Sequence, residues 1–488
     1  MTRRQAIAIL ASSASPAPAV HNWISLFDGV TLANWKANLP SSWRVEAGAI
    51  VADGPASHLF YDAPGASSIR NFEFEAEVLT RPIANSGIYF HTAFQSTGFP
   101  KQGFEAQINN TALGEGNYRE RKRTGSLYGI RNVYKQLVRD DEWFRLNIRV
   151  SANNVQIRVN GLLTVDYLEP DPPVLPPSQE TARFLQTGTF ALQCHDPGSR
   201  VRFRNLRYRP LPDAPRIAFS ADDTFQRILS LGVRNYPLID YHVHFHGKLG
   251  LQQALEQSRR DGIAFGLAIN AGRLSNARTD SAAIQFLEAV SGQPTFTGMQ
   301  LEGADWLPLF TRDTCARFDY LFNDCLVWTN PGDNRTWRRI HRPEELGAIT
   351  DTQAFAEEFT ERVVSTIATQ PIDFFANPTY LPASLESRRA EIWTEARTNR
   401  LIQAAARHGV AIELSDRFRV PDTGFVKRAK TAGCKFVLGT GNGSDQDLLR
   451  SSHGLRLIEE CGLVWTDFAV LGNRGERAVD RRAHLFSA

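Results

Sequence analysis

The chain runs to 488 residues with 55 Lys+Arg against 52 Asp+Glu, a net charge of +3, 42% hydrophobic and 22% charged residues. Such proportions exclude wholesale disorder, and charge spread this evenly leaves no electrostatic footprint for nucleic acid. No run reaches the roughly 18 apolar residues that span a bilayer, and at about 100–200 residues per domain the length predicts two or three domains. The cysteines, Cys194, Cys315, Cys325, Cys434 and Cys461, are odd in number and form no CxxC pair. That argues against a disulfide framework or a zinc ribbon and predicts free core thiols.

Residues 1–19 have the shape of an export signal. Arg3 and Arg4 precede a short apolar stretch, and small residues end in Ala17-Pro18-Ala19, the pattern of a twin-arginine leader that would send the chain to the periplasm or outside the cell. Its loss would bring the net charge from +3 to +1. Over 22–212 the dominant period is two. Phe72, Phe74, Ala76 and Val78 alternate with Glu73, Glu75 and Glu77, and Phe144, Leu146, Ile148 and Val150 with Arg145, Asn147 and Arg149. Val155, Ile157 and Val159 lead into Asn160-Gly161 and out along Leu163 and Val165, a hairpin signature. These patterns predict an antiparallel β-sandwich. Residues 209–215, RPLPDAP, read as a linker. Over 216–470 short apolar runs alternate with helical stretches (Leu251–Arg260, Phe355–Thr369, Arg397–His408, Gly424–Ala432), which predicts a parallel α/β barrel. The Arg-rich residues 471–488 are expected to form a loosely packed tail.

Several phrases in the first half stand in order: LFDGVTLANW from Leu26, NSGIYFHT from Asn85, GFEAQINNT from Gly103, GSLYGI from Gly125, and GTFALQCHDPGSRVRFRNLRYRPLP from Gly188. Together they resemble the 3-keto-disaccharide hydrolase domain, a lectin-like β-sandwich of concanavalin or jelly-roll type. The resemblance implies cleavage of glycosides already oxidised at C3 of the sugar, by elimination followed by hydration.

Strand alternation points to a site independently. Ile88 and Phe90 share one face, and Tyr89 and His91 the other. Phe104, Ala106 and Ile108 oppose Glu105 and Gln107, while Phe190, Leu192 and Cys194 oppose Gln193 and His195. A sheet surface bearing His91, Glu105, Gln107, Gln193 and His195 carries more mixed acid-base groups than solubility requires. The chemistry fits: a C3 ketone acidifies the C2 proton, a base removes it, and the C1 substituent leaves. That needs a base, an acid for the leaving oxygen, and a positive group or metal for the enolate, and dispenses with the spaced carboxylate pair of an ordinary glycosidase. Glu105 is the first candidate for base, or for ligand of an enolate-stabilising metal. His195 and His91 are candidates for acid or ligand, Tyr128 and Lys135 for substrate binding, and Trp35 for stacking on a sugar ring.

In the second half, Asp240, His242, His244 and His246 alternate at the end of an apolar strand, a geometry suited to a divalent metal such as Zn, Mn or Ni. The context resembles the polymerase-and-histidinol-phosphatase (PHP) superfamily, a distorted (β/α)7 barrel with a metal cluster at the strand C-terminal ends. The resemblance places Glu302 and Asp445 among the ligands. It also exposes departures: Asn270 stands at the end of a strand where a Thr-Asp-His ending is expected, Asn377 replaces a His, and Gln446 and Asp447 follow Asp445 in place of the final His. What remains would hold one metal, or the barrel is a scaffold. The leading expectation is therefore an exported enzyme whose sandwich acts on 3-keto-glycosides. The rival is a sugar-binding sandwich that tethers a metal-dependent hydrolase or phosphoesterase barrel.

Overall fold

The computed structural model describes residues 22–114, 116–175, 183–329, 337–444, 452–473 and 475–486. The expected leader, residues 1–19, and Asp445 lie outside the described residues.

The first part is built from β1 (Ile24–Ser25), β2 (Trp35–Ala37), β3 (Trp43–Glu46), β4 (Ala49–Ala52), β5 (Ser57–Tyr61), β6 (Phe72–Thr80), β7 (Asn85–Thr92), β8 (Phe104–Asn109), β9 (Phe144–Ser151), β10 (Asn154–Val159), β11 (Leu162–Leu168), β12 (Thr189–Cys194) and β13 (Val201–Pro210). They form two antiparallel sheets. One has the order β11-β10-β9-β6-β13-β4-β3, with β1 added against β13, and the other β2-β5-β12-β7-β8. The expected hairpin is present: Asn160 and Gly161 both take positive φ, 49° and 85°, as the two central positions of a type I′ turn require. On β6 the even positions Phe72, Phe74, Ala76 and Val78 are sealed into the core with Phe90, Phe104, Phe190 and Phe203. Its odd positions reach solvent and pair across the sheet, Glu73 with Arg209 at 2.5 Å, Glu75 with Arg207 at 2.6 Å and Glu77 with Arg204 at 2.7 Å.

The second part begins with α1 (Asp223–Val233), capped by the Asp222 carboxylate, which accepts from the Phe225 N–H at 2.8 Å. This helix divides its buried face: Phe225 and Leu229 enter the sandwich core, Ile228 and Leu231 the barrel core. Then β14 (Ile239–Val243), β15 (Ala264–Ala271), β16 (Phe296–Leu301), β17 (Tyr320–Asn323), β20 (Phe374–Phe375), β21 (Ala411–Ser415) and β22 (Phe436–Gly439) close into a seven-stranded parallel barrel. A small hairpin, β18 (Val327–Thr329) with β19 (Trp337–Arg339), stands off it. All five cysteines are free and buried. No described helix is long and apolar enough to cross a membrane.

The sandwich docks at the N-terminal end of the barrel strands. Lys135 binds Asp319 at 2.7 Å and the Thr295 carbonyl at 2.8 Å, just before β17 and β16. Arg121 donates to the carbonyls of Trp465 and Phe468, and the Tyr134 hydroxyl to that of Tyr236. The C-terminal segment is a correction to the sequence reading. Far from trailing loosely, it packs over the same end of the barrel. Arg477 donates to the carbonyls of Ala316 and Phe318, Arg482 to those of Ile367 and Gln370, and the Ala478 N–H to Asp373. Its arginines satisfy carbonyls that would otherwise be left open at the barrel's closed end.

Candidate active site

The outer face of the five-stranded sheet carries the polar cluster that alternation predicted. Tyr89 and Glu105 are direct cross-strand partners. The Tyr89 hydroxyl donates to Glu105 Oε2 at 2.9 Å, and Gln193 Nε2 donates to that hydroxyl at 3.1 Å. Glu105 is only 5% exposed, and burial raises its carboxyl above the usual range against the opposing pull of Arg183, the Tyr89 hydrogen bond and His195. Room for this side chain comes from Gly87, whose Cβ, had it one, would fall on Glu105 Oε1. Gln107 shares the face but is engaged, its Nε2 donating to Asn85 Oδ1 at 2.8 Å. His195 lies just past β12, one-third exposed, its Nδ1 2.7 Å from Asp196 Oδ2.

A long excursion between β8 and β9 folds over one side of this face. The Tyr128 N–H donates to the Glu105 carbonyl at 2.9 Å. Around Tyr128 sit Tyr118, Glu120 and Lys122. The Lys122 ammonium, 1% exposed, binds Glu120 at 3.4 Å, the Tyr118 hydroxyl at 3.1 Å and Asn235 Oδ1 at 3.0 Å, and lies 4.5 Å from the centre of the Tyr128 ring. Burial pulls Lys122 below the ordinary lysine range although Glu120 opposes it. Asn235 belongs to the barrel side, and its Nδ2 donates to the Arg119 carbonyl at 2.7 Å.

Three expected residues are placed elsewhere. His91 has φ 55° at a register shift between β7 and β12. This bulge turns its ring toward Phe72 and the Arg70 carbonyl, 5.6 Å and 2.8 Å away, and burial drives the imidazole down to about 4. Trp35 is on the core side: it packs edge-on against Tyr61 and its indole N–H donates to the Leu26 carbonyl at 2.7 Å. Lys135 is the domain-interface ion pair described above. Conversely, His58 was missed, although the alternation of Ser57–Tyr61 puts it with Phe60 on the polar face. It is 1% exposed, lies opposite Gln193 and packs edge-on against Tyr89 at 5.4 Å. Glu120 and Lys122 were missed because their segment has no periodicity to read.

At the opposite end of the barrel, His242, His244 and His246 succeed one another with ring centres 5.1 and 5.9 Å apart, lining a cavity of about 340 Å³ with Glu302, Asp324 and Asn377. Several of their polar atoms have partners within the protein. His242 Nδ1 is 2.6 Å from Glu413 Oε1 and its Nε2 3.2 Å from Gln300 Oε1. Burial alone would lower His242, but the Glu413 carboxylate outweighs it and holds the imidazole above its ordinary value. His244 Nδ1 meets the Ala268 carbonyl, and Glu302 accepts from Asn270 and Ser275. Burial pushes Asp324 up to about 6. Among the described residues no group of three His, Cys, Asp or Glu side chains could hold a metal ion.

Residues 22–209 match the family model described as a 3-keto-alpha-glucoside-1,2-lyase-like domain. No curated protein matches the chain. Among solved structures, a candidate glycosyl hydrolase from Parabacteroides distasonis ATCC 8503 is 22% identical, over 39% of this chain and 100% of its own, with a TM-score of 0.32. The histidinol phosphate phosphatase of Lactococcus lactis subsp. lactis Il1403 is 13% identical over 47% of this chain and 95% of its own, with a TM-score of 0.35. The polar sheet face thus lies wholly within the segment that is similar to a carbohydrate-directed lyase-like domain.

Proposed function

We propose that the sandwich cleaves glycosides oxidised at C3 of the sugar. The observation that carries this reading is Glu105, a buried carboxylate bonded to Tyr89 on a sheet face with Gln193 and His195, inside the matched segment. Glu105 takes the proton from C2, the electron pair forms the C1=C2 bond, and the C1–O bond breaks. His195, steadied by Asp196, gives the departing oxygen its proton. Water then adds across C1=C2, its proton to C2 and its hydroxide to C1. The Lys122 ammonium, held between Tyr118 and Tyr128, is the positive group for the oxygen on C3 while it carries charge.

The test is an assay of the full chain on a 3-keto-glucoside with a chromogenic aglycone in D2O. Aglycone release with one solvent deuterium at C2 of the sugar is the expected result. No release, or release without label at C2, overturns the reaction.

A second reading, a sugar-binding sandwich that tethers a hydrolase barrel, rests on the cavity at the barrel mouth. It would show as turnover of a phosphoester that His242→Ala abolishes.

A further inference from the structure

His58 has no part in the reaction above, yet neither of its ring nitrogens has a hydrogen-bond partner although the residue is 1% exposed. Its cross-strand partner Gln193 is half-satisfied: Nε2 donates to Tyr89, while Oε1 is buried without a partner. Directly opposed residues on antiparallel strands bring their Cβ atoms to about 4.5–5.5 Å, so the two side chains with orphaned atoms are neighbours, both against Tyr89. Buried polar groups left unpaired cost stability, and such a cost at the foot of a candidate site marks a place where a ligand supplies the missing partner.

A second aromatic ring packs against His58. Phe99 is 48% exposed, with its ring centre 5.5 Å from that of His58 and 5.6 Å from that of His195. The turn that presents it is built by Gln95, whose carboxamide donates to the carbonyls of Thr97 and Phe99 and accepts from the Lys101 N–H. Burial holds the His58 imidazole down at about 3, with His195 adding to the effect, so the ring is neutral and offers one donor and one acceptor. One ring nitrogen as donor and Gln193 Oε1 as acceptor, both without charge, complement a hydroxyl, which both accepts and donates. The Glu105 carboxylate on the same face disfavours an anionic ligand.

We propose that His58 and Gln193 Oε1 bind a hydroxyl of a neutral sugar ring, and that Phe99 swings off them to stack on that ring. The inference rests on the reading of this face as a sugar site. It assigns His58 to substrate binding.

The experiment uses the full chain with ring-labelled histidine, titrated with 3-keto-1,5-anhydroglucitol, which lacks the C1 substituent and is not cleaved by the proposed reaction, and followed by NMR and calorimetry. The His58 signals are expected to shift, and His58→Phe to lower affinity at least tenfold while raising Tm by a few degrees, because the orphaned nitrogens are gone. His58→Leu serves as the second variant. Equal binding by wild type and both variants, or no binding to the wild type, overturns the subsite. Binding that the variants lose, without turnover of the chromogenic 3-keto-glucoside by the wild type, upholds the subsite and overturns the proposed reaction.

Discussion

Glu105 combines two consequences of one environment. As a base it must be ionised, and burial holds its pKa above the ordinary value of 4.5. The acid limb of kcat/KM is therefore expected to have its midpoint above 4.5 and to vanish in Glu105→Gln, with a loss of about 10²–10⁴ in rate. The sign for stability is opposite. A carboxyl whose folded pKa is raised favours folding at low pH and loses that contribution as pH rises through the folded value, so Glu105→Gln should unfold at a higher temperature than wild type at pH 7. Denaturation curves and pH–rate profiles on the same two proteins check both halves. His91 behaves differently. Its imidazole is lowered to about 4 from 6.5, so its contribution is complete above pH 6.5 and drains away as pH falls toward 4, when the unfolded chain takes the proton first. His91→Gln is expected to flatten part of that decline in urea midpoint, with His58 and His244, also lowered by burial, supplying the remainder.

On the scale of strands, the ion pairs of β6 with β13 are a test of what does not matter. Glu73, Glu75 and Glu77 pair with arginines on the outside of the eight-stranded sheet, and Arg204 and Arg207 lie over Trp143 and Trp23 at 3.9 and 4.6 Å. Half-exposed pairs of this kind contribute about 0–1 kcal/mol. Glu75→Ala should cost no more than about 1 kcal/mol in a urea titration and leave turnover unchanged, because the candidate site is on the other sheet. The same strands show where sequence is legible. Alternation along β6, β8 and β12 separated core from polar face correctly, since period two is local. The displacement of His91 was not legible, because a bulge depends on register against β12, and a one-residue slip moves every later side chain to the other face. Trp35 went wrong for a related reason: the short edge strand β2 offers three residues, too few to fix which side is wet.

At the scale of the molecule, the barrel does structural work for the sandwich. Asn235 holds both Lys122 and the Arg119 carbonyl, so Asn235→Ala should lower turnover of a 3-keto-glucoside and cost about 1–3 kcal/mol of stability, read by steady-state kinetics and by calorimetry of the full chain. His242→Ala should leave that turnover intact, since the histidines sit at the far end of the barrel strands. The two-part organisation was readable from the switch of period near residue 213, whereas the docking was not. Its contacts come from the aperiodic excursion around Lys122 and Lys135, and from Arg-rich C-terminal residues whose partners are backbone carbonyls distant in the chain.

That docking sets the polar sheet face and the histidine-lined cavity at opposite ends of the barrel strands. Under the reaction proposed above, elimination and hydration would both fall to side chains of the sandwich face, and a ligand of the barrel cavity would bind independently of them.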